Sequence, residues 1–286
     1  MNIQRLDDIV RHQFIMDELS KMWREDYSVL EINGYRYCCR YHSISVELQK
    51  EIADRGHYDE IVYAIKKFNE FQSYCGTSGW QHPPILCEYF QIKIAERQNY
   101  SEISTFIQKH GFMPSAQVVF LKNANHYMRL EYVRRHGFCG EALQMLWDMK
   151  DVDALAVHLH NHGLPEELLK ELFKPENEKL YYEIINRVEF PVRAQQIMVR
   201  LSSFNQFLSY IEKYGLWEAT HRTLIDTQDK AKVVKYVQMH HYLSYDAEDL
   251  LFEEGDEEKI SAYLDNLAGP IKNWSAFEEY RRKFVS

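Results

Sequence analysis

The sequence RRHGF at residues 134–138 is followed by NHGL at residues 161–164, so an HG turn ending in an apolar residue occurs twice. The apolar residue that ends each turn belongs to a longer series with steps of 26, 26, 26, 26 and 27 residues: Phe112, Phe138, Leu164, Phe190, Leu216 and Leu243. A fixed period of this size is the signature of a repeat architecture. We call these residues anchors and number the other positions of each copy as offsets from its anchor.

Other apolar positions keep the same period. Offsets 8 and 9 hold pairs such as Phe120 with Leu121, and offset 21 holds Val133 and its equivalents. Apolar offsets of 4, 8 and 9 fit one helical face, and offsets of 17, 20 and 21 fit another, so each copy has room for two helices. Two further copies begin at Ile44 and Leu86. The sequence therefore predicts eight helical hairpins.

The helix ends also follow the repeat. Offset 13, the predicted start of each second helix, holds His57, Asn99, Asn125, Asp151, Asn177, Ser203, Asp229 and Asp256. Seven of these eight side chains have an oxygen that can accept from a free backbone N–H, and Asn99 with Glu102 resembles a capping box. The residues just before four anchors are predicted to be left-handed helix stops: Gly111, Gly137, Gly163 and Gly215. The preceding column is expected to cap and pack at helix ends: His110, His136, His162, Tyr214 and His241.

Stacking of neighbouring hairpins is needed to bury both apolar faces, so the expected fold is an all-α solenoid over residues 44–268. The step from Ile44 to Leu86 is 42 residues, which predicts an insertion loop at about 66–85. A C-terminal cap helix is expected within residues 269–286. The array resembles HEAT, armadillo and TPR arrays in this general logic.

Residues 1–43 are predicted to form an N-terminal cap. An amphipathic helix over residues 1–24 would place its apolar stripe against the array: Leu6, Ile9, Val10, Phe14, Ile15, Leu19 and Met22. A small β-hairpin is predicted near residues 27–41, because Asn33 and Gly34 separate two β-rich runs. An irregular turn is the alternative there.

The repeat unit, written DxxxLxxYIxxHGLxxxAxxxLLxxx, resembles the short helix-hairpin repeats of uncharacterised bacterial proteins from Bacteroides-type genomes. The resemblance covers about residues 44–268. The shared positions are core, cap and turn positions, so the resemblance implies an architecture and transfers no functional residue.

Composition narrows the possible partners. With 34 Lys and Arg against 43 Asp and Glu, the net charge of −9 disfavours a generic nucleic-acid binder. The five cysteines show no metal-ligand spacing, which indicates a reducing, cytoplasmic environment. No leader or membrane-spanning segment is predicted from the sequence.

Local motifs with possible chemistry have simpler structural interpretations. His158 and His162 in HLHNH could share a metal, but His158 falls in a packing column. The acidic run FEEGDEEK at residues 252–259 lacks the ligand spacing of an EF-hand and coincides with a helix start. No nucleophile-elbow, phosphate-loop or dinucleotide-binding motif is present, so neither an enzyme nor a cofactor is expected.

These observations favour a non-enzymatic helical-repeat scaffold that binds a protein or peptide through its groove. The alternative is a nucleic-acid-binding repeat protein, and the sequence leaves the oligomeric state open. Candidate contact residues are side chains outside the regular core columns: Tyr127, Arg134, Arg135, Tyr181, Tyr182, Tyr242 and Tyr245.

Overall fold

The computed structural model describes residues 3–21, 28–32, 35–39, 45–75, 86–227 and 229–285 of the chain. It divides into two compact units, Met1–Met149 and Lys150–Ser286. The boundary between them lies in the connection between the two helices of the fourth predicted hairpin.

The first unit contains a hairpin of two strands and eight helices among its described residues. The strands are β1 (Ser28–Ile32) and β2 (Tyr35–Cys39). The helices are α1 (Ile3–Lys21), α2 (Val46–Arg55), α3 (Tyr58–Cys75), α4 (Glu88–Arg97), α5 (Tyr100–Ile107), α6 (Pro114–Asn123), α7 (His126–Arg135) and α8 (Gly140–Asp148), and the second unit opens with α9 (Val152–His162).

The remaining helices of the second unit follow in the same alternation. They are α10 (Glu166–Leu172), α11 (Glu178–Ile185), α12 (Val192–Leu201), α13 (Phe204–Lys213), α14 (Glu218–Ile225), α15 (Lys230–His240), α16 (Tyr245–Glu254), α17 (Glu257–Asn266) and α18 (Trp274–Tyr280). A short 3-10 turn, Pro175–Asn177, precedes α11, and a π-helical turn, Arg281–Val285, follows α18.

Each unit is built from two layers of helices. In the first unit α2, α4, α6 and α8 form one layer and α1, α3, α5 and α7 form the other, because each helix packs mainly on the helix two places along the chain. The second unit repeats this arrangement, with α10, α12, α14, α16 and α18 in one layer and α9, α11, α13, α15 and α17 in the other. The predicted all-α helical repeat fold is confirmed, and the eight copies correspond to the pairs from α2–α3 to α16–α17.

The repeated apolar columns form the core of each unit. The anchors Phe112, Phe138, Phe190 and Leu243 are buried, as are the described residues at offsets 8 and 9. Helices of about ten residues are marginal alone, so their stability comes from this packing between copies.

The N-terminal cap differs in part from its prediction. Helix α1 forms and packs on α3 through the buried side chains of Ile15 and Leu19. Ile9, Val10 and Phe14 are exposed, so the predicted core-facing stripe was too wide. The side chain of Leu6 and residue Met22 lie outside what the structure describes.

The predicted hairpin is present: β1 and β2 pair antiparallel with Ile32 opposite Tyr35, which leaves Asn33 and Gly34 as the two intervening residues. Helix α3 continues to Cys75, ten residues into the segment predicted as an insertion loop. The other part of that segment, residues 76–85, lies outside the described residues.

Six of the predicted N-caps accept a backbone N–H through their side chains: Asn99, Asn125, Asp151, Ser203, Asp229 and Asp256. Asn177 instead donates to the carbonyl oxygen of Glu171 at 2.8 Å. The reciprocal capping box occurs at Ser203 with Gln206. Asn99 makes only half of one, because the Glu102 side chain accepts from Arg97.

The glycine turns are of two kinds. Gly163 and Gly215 have φ of 76° and 74°, as predicted for helix stops that favour glycine. Gly111 and Gly137 do not adopt positive φ, which corrects their prediction. Helix α7 ends at His136 in an extended conformation, so no left-handed residue is needed there.

Candidate functional site

A buried polar side chain at offset 5 links one copy to the next. Gln195, on α12, donates its amide N–H to the carbonyl oxygen of its own anchor, Phe190, at 3.0 Å. Its Oε1 accepts the backbone N–H of Trp217, the residue after the next anchor, at 2.9 Å. Gln91 makes the same two contacts, to Leu86 at 2.7 Å and from Met113 at 2.7 Å. We call this pair of hydrogen bonds the clasp.

In the last two copies, other residue types at offset 5 make the contact to the following backbone N–H and pair it with a tyrosine hydroxyl. Nδ1 of His221 accepts the Ser244 N–H at 3.0 Å, and its Nε2 lies 2.7 Å from the hydroxyl oxygen of Tyr236. Glu248 accepts the Asn273 N–H with one carboxylate oxygen and the Tyr263 hydroxyl with the other. His221 and Glu248 are fully buried, so in these two copies a desolvated polar contact holds the backbone that follows.

The residue type at offset 5 varies together with the residue type just after the next anchor. Offset 5 holds Leu at positions 143 and 169, and in those two cases the residue after the next anchor is Pro165 or Pro191. Proline has no backbone N–H to satisfy. In the other six copies offset 5 is Gln, His or Glu, and the corresponding later residue has an N–H: Cys87, Met113, Cys139, Trp217, Ser244 and Asn273.

The contact from offset 5 fixes the backbone at the N-terminal ends of three neighbouring helices of the second unit, where aromatic residues are exposed. Trp217 precedes α14, and Tyr245 and Trp274 are the first residues of α16 and α18. Their exposures are 52%, 54% and 58%. Of the three tryptophans with described side chains, only Trp147 is buried. We call Trp217, Tyr242, Tyr245, Lys272 and Trp274 the aromatic edge.

Contacts within the second unit hold the aromatic edge together. The Lys272 ammonium lies 5.4 Å from the centroid of the Tyr242 ring and 3.5 Å from a carboxylate oxygen of Glu218. The Tyr242 ring in turn lies edge-on to His221, at 5.3 Å between centroids. The Tyr242 ring, which is 40% exposed, is therefore held by contacts with both His221 and Lys272.

The polar tips of three edge residues are free of internal partners. Among the described residues, the indole N–H groups of Trp217 and Trp274 and the hydroxyl of Tyr245 have no hydrogen-bond partner. Large aromatic side chains with unused donors are typical of binding hot spots. These tips can therefore donate to acceptors of a bound molecule.

A second row of exposed tyrosines lies in the first unit, at the starts of α3, α5 and α7: Tyr58, Tyr100 and Tyr127. Its hydroxyls are used internally. Tyr58 lies 2.8 Å from the Ser101 hydroxyl, and Tyr100 donates to Glu131 at 2.8 Å. Hydrogen bonding to Tyr127 and Glu131 raises the pKa of Tyr100 to about 12. The hydroxyls of Tyr58 and Tyr100 therefore bond within the first unit, unlike the hydroxyl of Tyr245 in the aromatic edge.

The remaining candidate contact residues are scattered. Arg134 and Arg135 are exposed at the end of α7. Tyr182 is half-buried, and its hydroxyl donates to Glu178 at 3.4 Å. Tyr181 is fully buried and donates to the carbonyl oxygen of Gln206 at 2.7 Å, so it is a core residue and not a surface contact.

The side chains two residues before the anchors, which are mostly histidines, were predicted to cap and pack at helix ends. Most of them hydrogen-bond to carbonyl oxygens at the helix ends of a neighbouring copy. His136 Nε2 lies 2.7 Å from the carbonyl oxygen of Ile107, the last residue of α5, and His241 Nδ1 lies 3.0 Å from that of Asn266, the last of α17. Tyr214 donates to Ile185 in the same way at 2.7 Å. Burial lowers the pKa of His110 to about 4.

The HLHNH histidines pack against each other. His158 is buried with Nδ1 2.9 Å from the Gly163 carbonyl oxygen, and its ring meets that of His162 edge-on at 5.3 Å. Within the described ranges, no group of three or more His, Cys, Asp or Glu side chains is placed to hold a metal ion.

Offset 16 forms a second buried polar column with both signs of charge. Glu102 accepts from Arg97 at 3.0 Å in the first unit. In the last two copies of the second unit the buried side chain at this offset is a cation instead of an anion. Lys259 donates to Glu254 at 2.9 Å and to the Ile225 carbonyl oxygen at 2.9 Å. Lys232 likewise donates to the last carbonyls of α12, and burial lowers its pKa.

Replacement of Lys232 by Met should lower the free energy of unfolding by about 1–2 kcal/mol, because the carbonyl oxygens of Val199 and Ser202 each lose a donor. Urea unfolding measures the change. The control is Lys230→Met, which removes an exposed ion pair to Asp256 and should lower stability clearly less than Lys232→Met does. Equal losses in the two variants would contradict the capping role of Lys232.

Comparisons with protein-family models, curated proteins and solved structures find no match to this chain. The resemblance to Bacteroides-type repeat proteins therefore stays a prediction. In the part of the chain that the structure describes, every helix is too short or too polar to cross a bilayer.

Proposed function

We propose that this chain is a cytosolic, non-enzymatic helical-repeat scaffold that binds a protein or peptide through the aromatic edge of its second unit. The observation that carries the proposal is the exposure of Trp217, Tyr245 and Trp274 at the N-terminal ends of three neighbouring helices. Exposing such rings to water is unfavourable, and neither packing nor internal hydrogen bonding accounts for it.

The charges beside the edge favour a protein partner over nucleic acid. Glu218 and Asp246 directly follow Trp217 and Tyr245, and Asp249 accepts from the Asn273 side chain at 3.2 Å. Lys272, the cation within the edge, is already paired with Glu218. A phosphate backbone would meet net repulsion here, whereas a partner with a basic residue would meet attraction.

Affinity capture of the tagged full-length chain from its native lysate, with and without nuclease, tests the proposal. We expect a defined protein to be recovered equally in both arms. A triple variant, Trp217→Ala with Tyr245→Ala and Trp274→Ala, should lose that protein by about tenfold or more. Phe204→Ala, which removes another exposed ring of the second unit, is the matched control.

Two outcomes would contradict this function. Recovery of the same protein by the triple variant would show that binding does not use the edge. Recovery of nucleic acid, with co-purifying proteins lost after nuclease, would favour the nucleic-acid-binding alternative and direct attention to Arg134 and Arg135.

A further inference from the structure

The distance between neighbouring rings of the aromatic edge limits which conformations of a bound peptide can contact more than one ring. Helices α14, α16 and α18 are successive neighbours in one layer. Tyr245 and Trp274 are the first residues of α16 and α18, and Trp217 is the residue just before α14. Packed helices lie about 8–10 Å apart, so the Tyr245 and Trp274 rings, which occupy the same position of their helices, should be separated by about that interval, with Trp217 at the end of the next helix in the layer.

Only some peptide conformations match this interval. A polyproline II helix rises about 3.1 Å per residue with three residues per turn, so one face recurs about every 9 Å. A strand presents the same face about every 7 Å, and an α-helix about every 5.4 Å. Every third residue of a polyproline II segment could therefore meet one ring of the edge.

The chemistry of the edge fits the same conformation. A polyproline II backbone makes no internal hydrogen bonds, so its carbonyl oxygens are free to accept. The indole N–H groups of Trp217 and Trp274 and the Tyr245 hydroxyl are free donors within the described part of the chain. Proline rings pack well on aromatic faces, as in other aromatic-lined sites for proline-rich segments.

We propose that the aromatic edge binds a proline-rich segment in the polyproline II conformation that carries a flanking Lys or Arg. The basic flank follows from the carboxylates of Glu218, Asp246 and Asp249 beside the rings. This inference rests on the proposed function and specifies its ligand class.

The test uses a fluorescein-labelled peptide of ten prolines with an arginine at each end, titrated with the full-length protein and followed by fluorescence anisotropy. We expect saturable binding that weakens about tenfold in Trp217→Ala, Tyr245→Ala or Trp274→Ala and is unchanged in Phe204→Ala. A peptide with the prolines replaced by alternating Gly and Ser, and the arginines kept, should bind at least about tenfold more weakly because it lacks the preformed conformation.

Three results would overturn the inference: no binding of the proline peptide, equal binding of the Gly–Ser peptide, or equal weakening by Phe204→Ala. Its failure is distinguishable from failure of the proposed function. If the captured protein still requires the edge but the proline peptide does not compete with it, the scaffold function stands and the proline-rich ligand is wrong.

Discussion

Replacement of Gln195 by Leu should lower the free energy of unfolding by about 3 kcal/mol, measured by urea unfolding. The substitution keeps most of the side-chain volume but removes both contacts of the clasp. The carbonyl oxygen of Phe190 loses its donor, and the N–H of Trp217 loses its acceptor. Each buried polar group left without a partner costs about 1–3 kcal/mol.

A second substitution should recover part of this loss. Trp217 has φ of −66°, which is the angle that proline adopts, and proline would remove the N–H that Gln195 satisfies. We expect Gln195→Leu to cost about 1–2 kcal/mol less in a Trp217→Pro background than in the unmodified chain. This double variant reproduces the Leu and Pro combination found at positions 169 and 191.

The control is Gln196→Leu, at the adjacent half-buried position, which removes only a solvent-exposed hydrogen bond to the Ala219 carbonyl oxygen and should cost no more than about 1 kcal/mol. If Gln195→Leu had the same cost in both backgrounds, the clasp would not be the reason for the pairing of residue types in the sequence.

Acid should destabilise the second unit through His221. Burial lowers the pKa of His221 from its ordinary 6.5 to about 4, and Nδ1 already accepts the Ser244 N–H. Between pH 6.5 and about 4, the unfolded chain therefore binds a proton that the folded chain does not bind. Stability is thus unaffected above pH 6.5 and is lost as the pH falls, by about 2 kcal/mol at pH 5.

His221→Gln isolates this effect. Glutamine forms the clasp at position 195 beside Tyr210, so it should form it at 221 beside Tyr236 without a titrating group. We expect the loss of unfolding free energy between pH 7 and pH 5 to be about 2 kcal/mol smaller in this variant. His110 titrates in both proteins and cancels from the comparison. Identical pH profiles would show that His221 is not held neutral by the fold.

The repeat architecture was predictable because the core columns are periodic in residue type. Phe112, Phe138 and Phe190 are large and apolar at the same offset, and packing demands the same of each copy. The exposed side of α1 was not predictable in the same way. Its apolar pattern gives a helical face, but which part of the face a neighbour covers depends on tertiary packing.

The clasp was missed although the sequence contains its signal. Offset 5 varies among Gln, His, Glu and Leu, so a search for apolar columns does not find it. Its pattern becomes visible only when each residue is compared with the one after the next anchor, where Leu is followed by Pro. The physical reason is a hydrogen bond between copies, which constrains a pair of residues and not either one alone.

The candidate site was predicted only in part. Tyr242 and Tyr245 were identified as irregular aromatics, whereas Trp217, Lys272 and Trp274 were not. Tyr181 was included for the same reason but is buried. Irregularity within a repeat does not distinguish a surface ring from a core ring, because exposure depends on neighbouring copies.

Photo-crosslinking from position 245 in living cells tests most directly whether the aromatic edge binds a protein. A benzoylphenylalanine in place of Tyr245 keeps an aromatic ring at the edge, and the same group in place of Lys179, whose side chain is 91% exposed on α11, is the control. The proposed function predicts a defined protein adduct from position 245 and none from position 179. No adduct from position 245, or the same adducts from both positions, would contradict it.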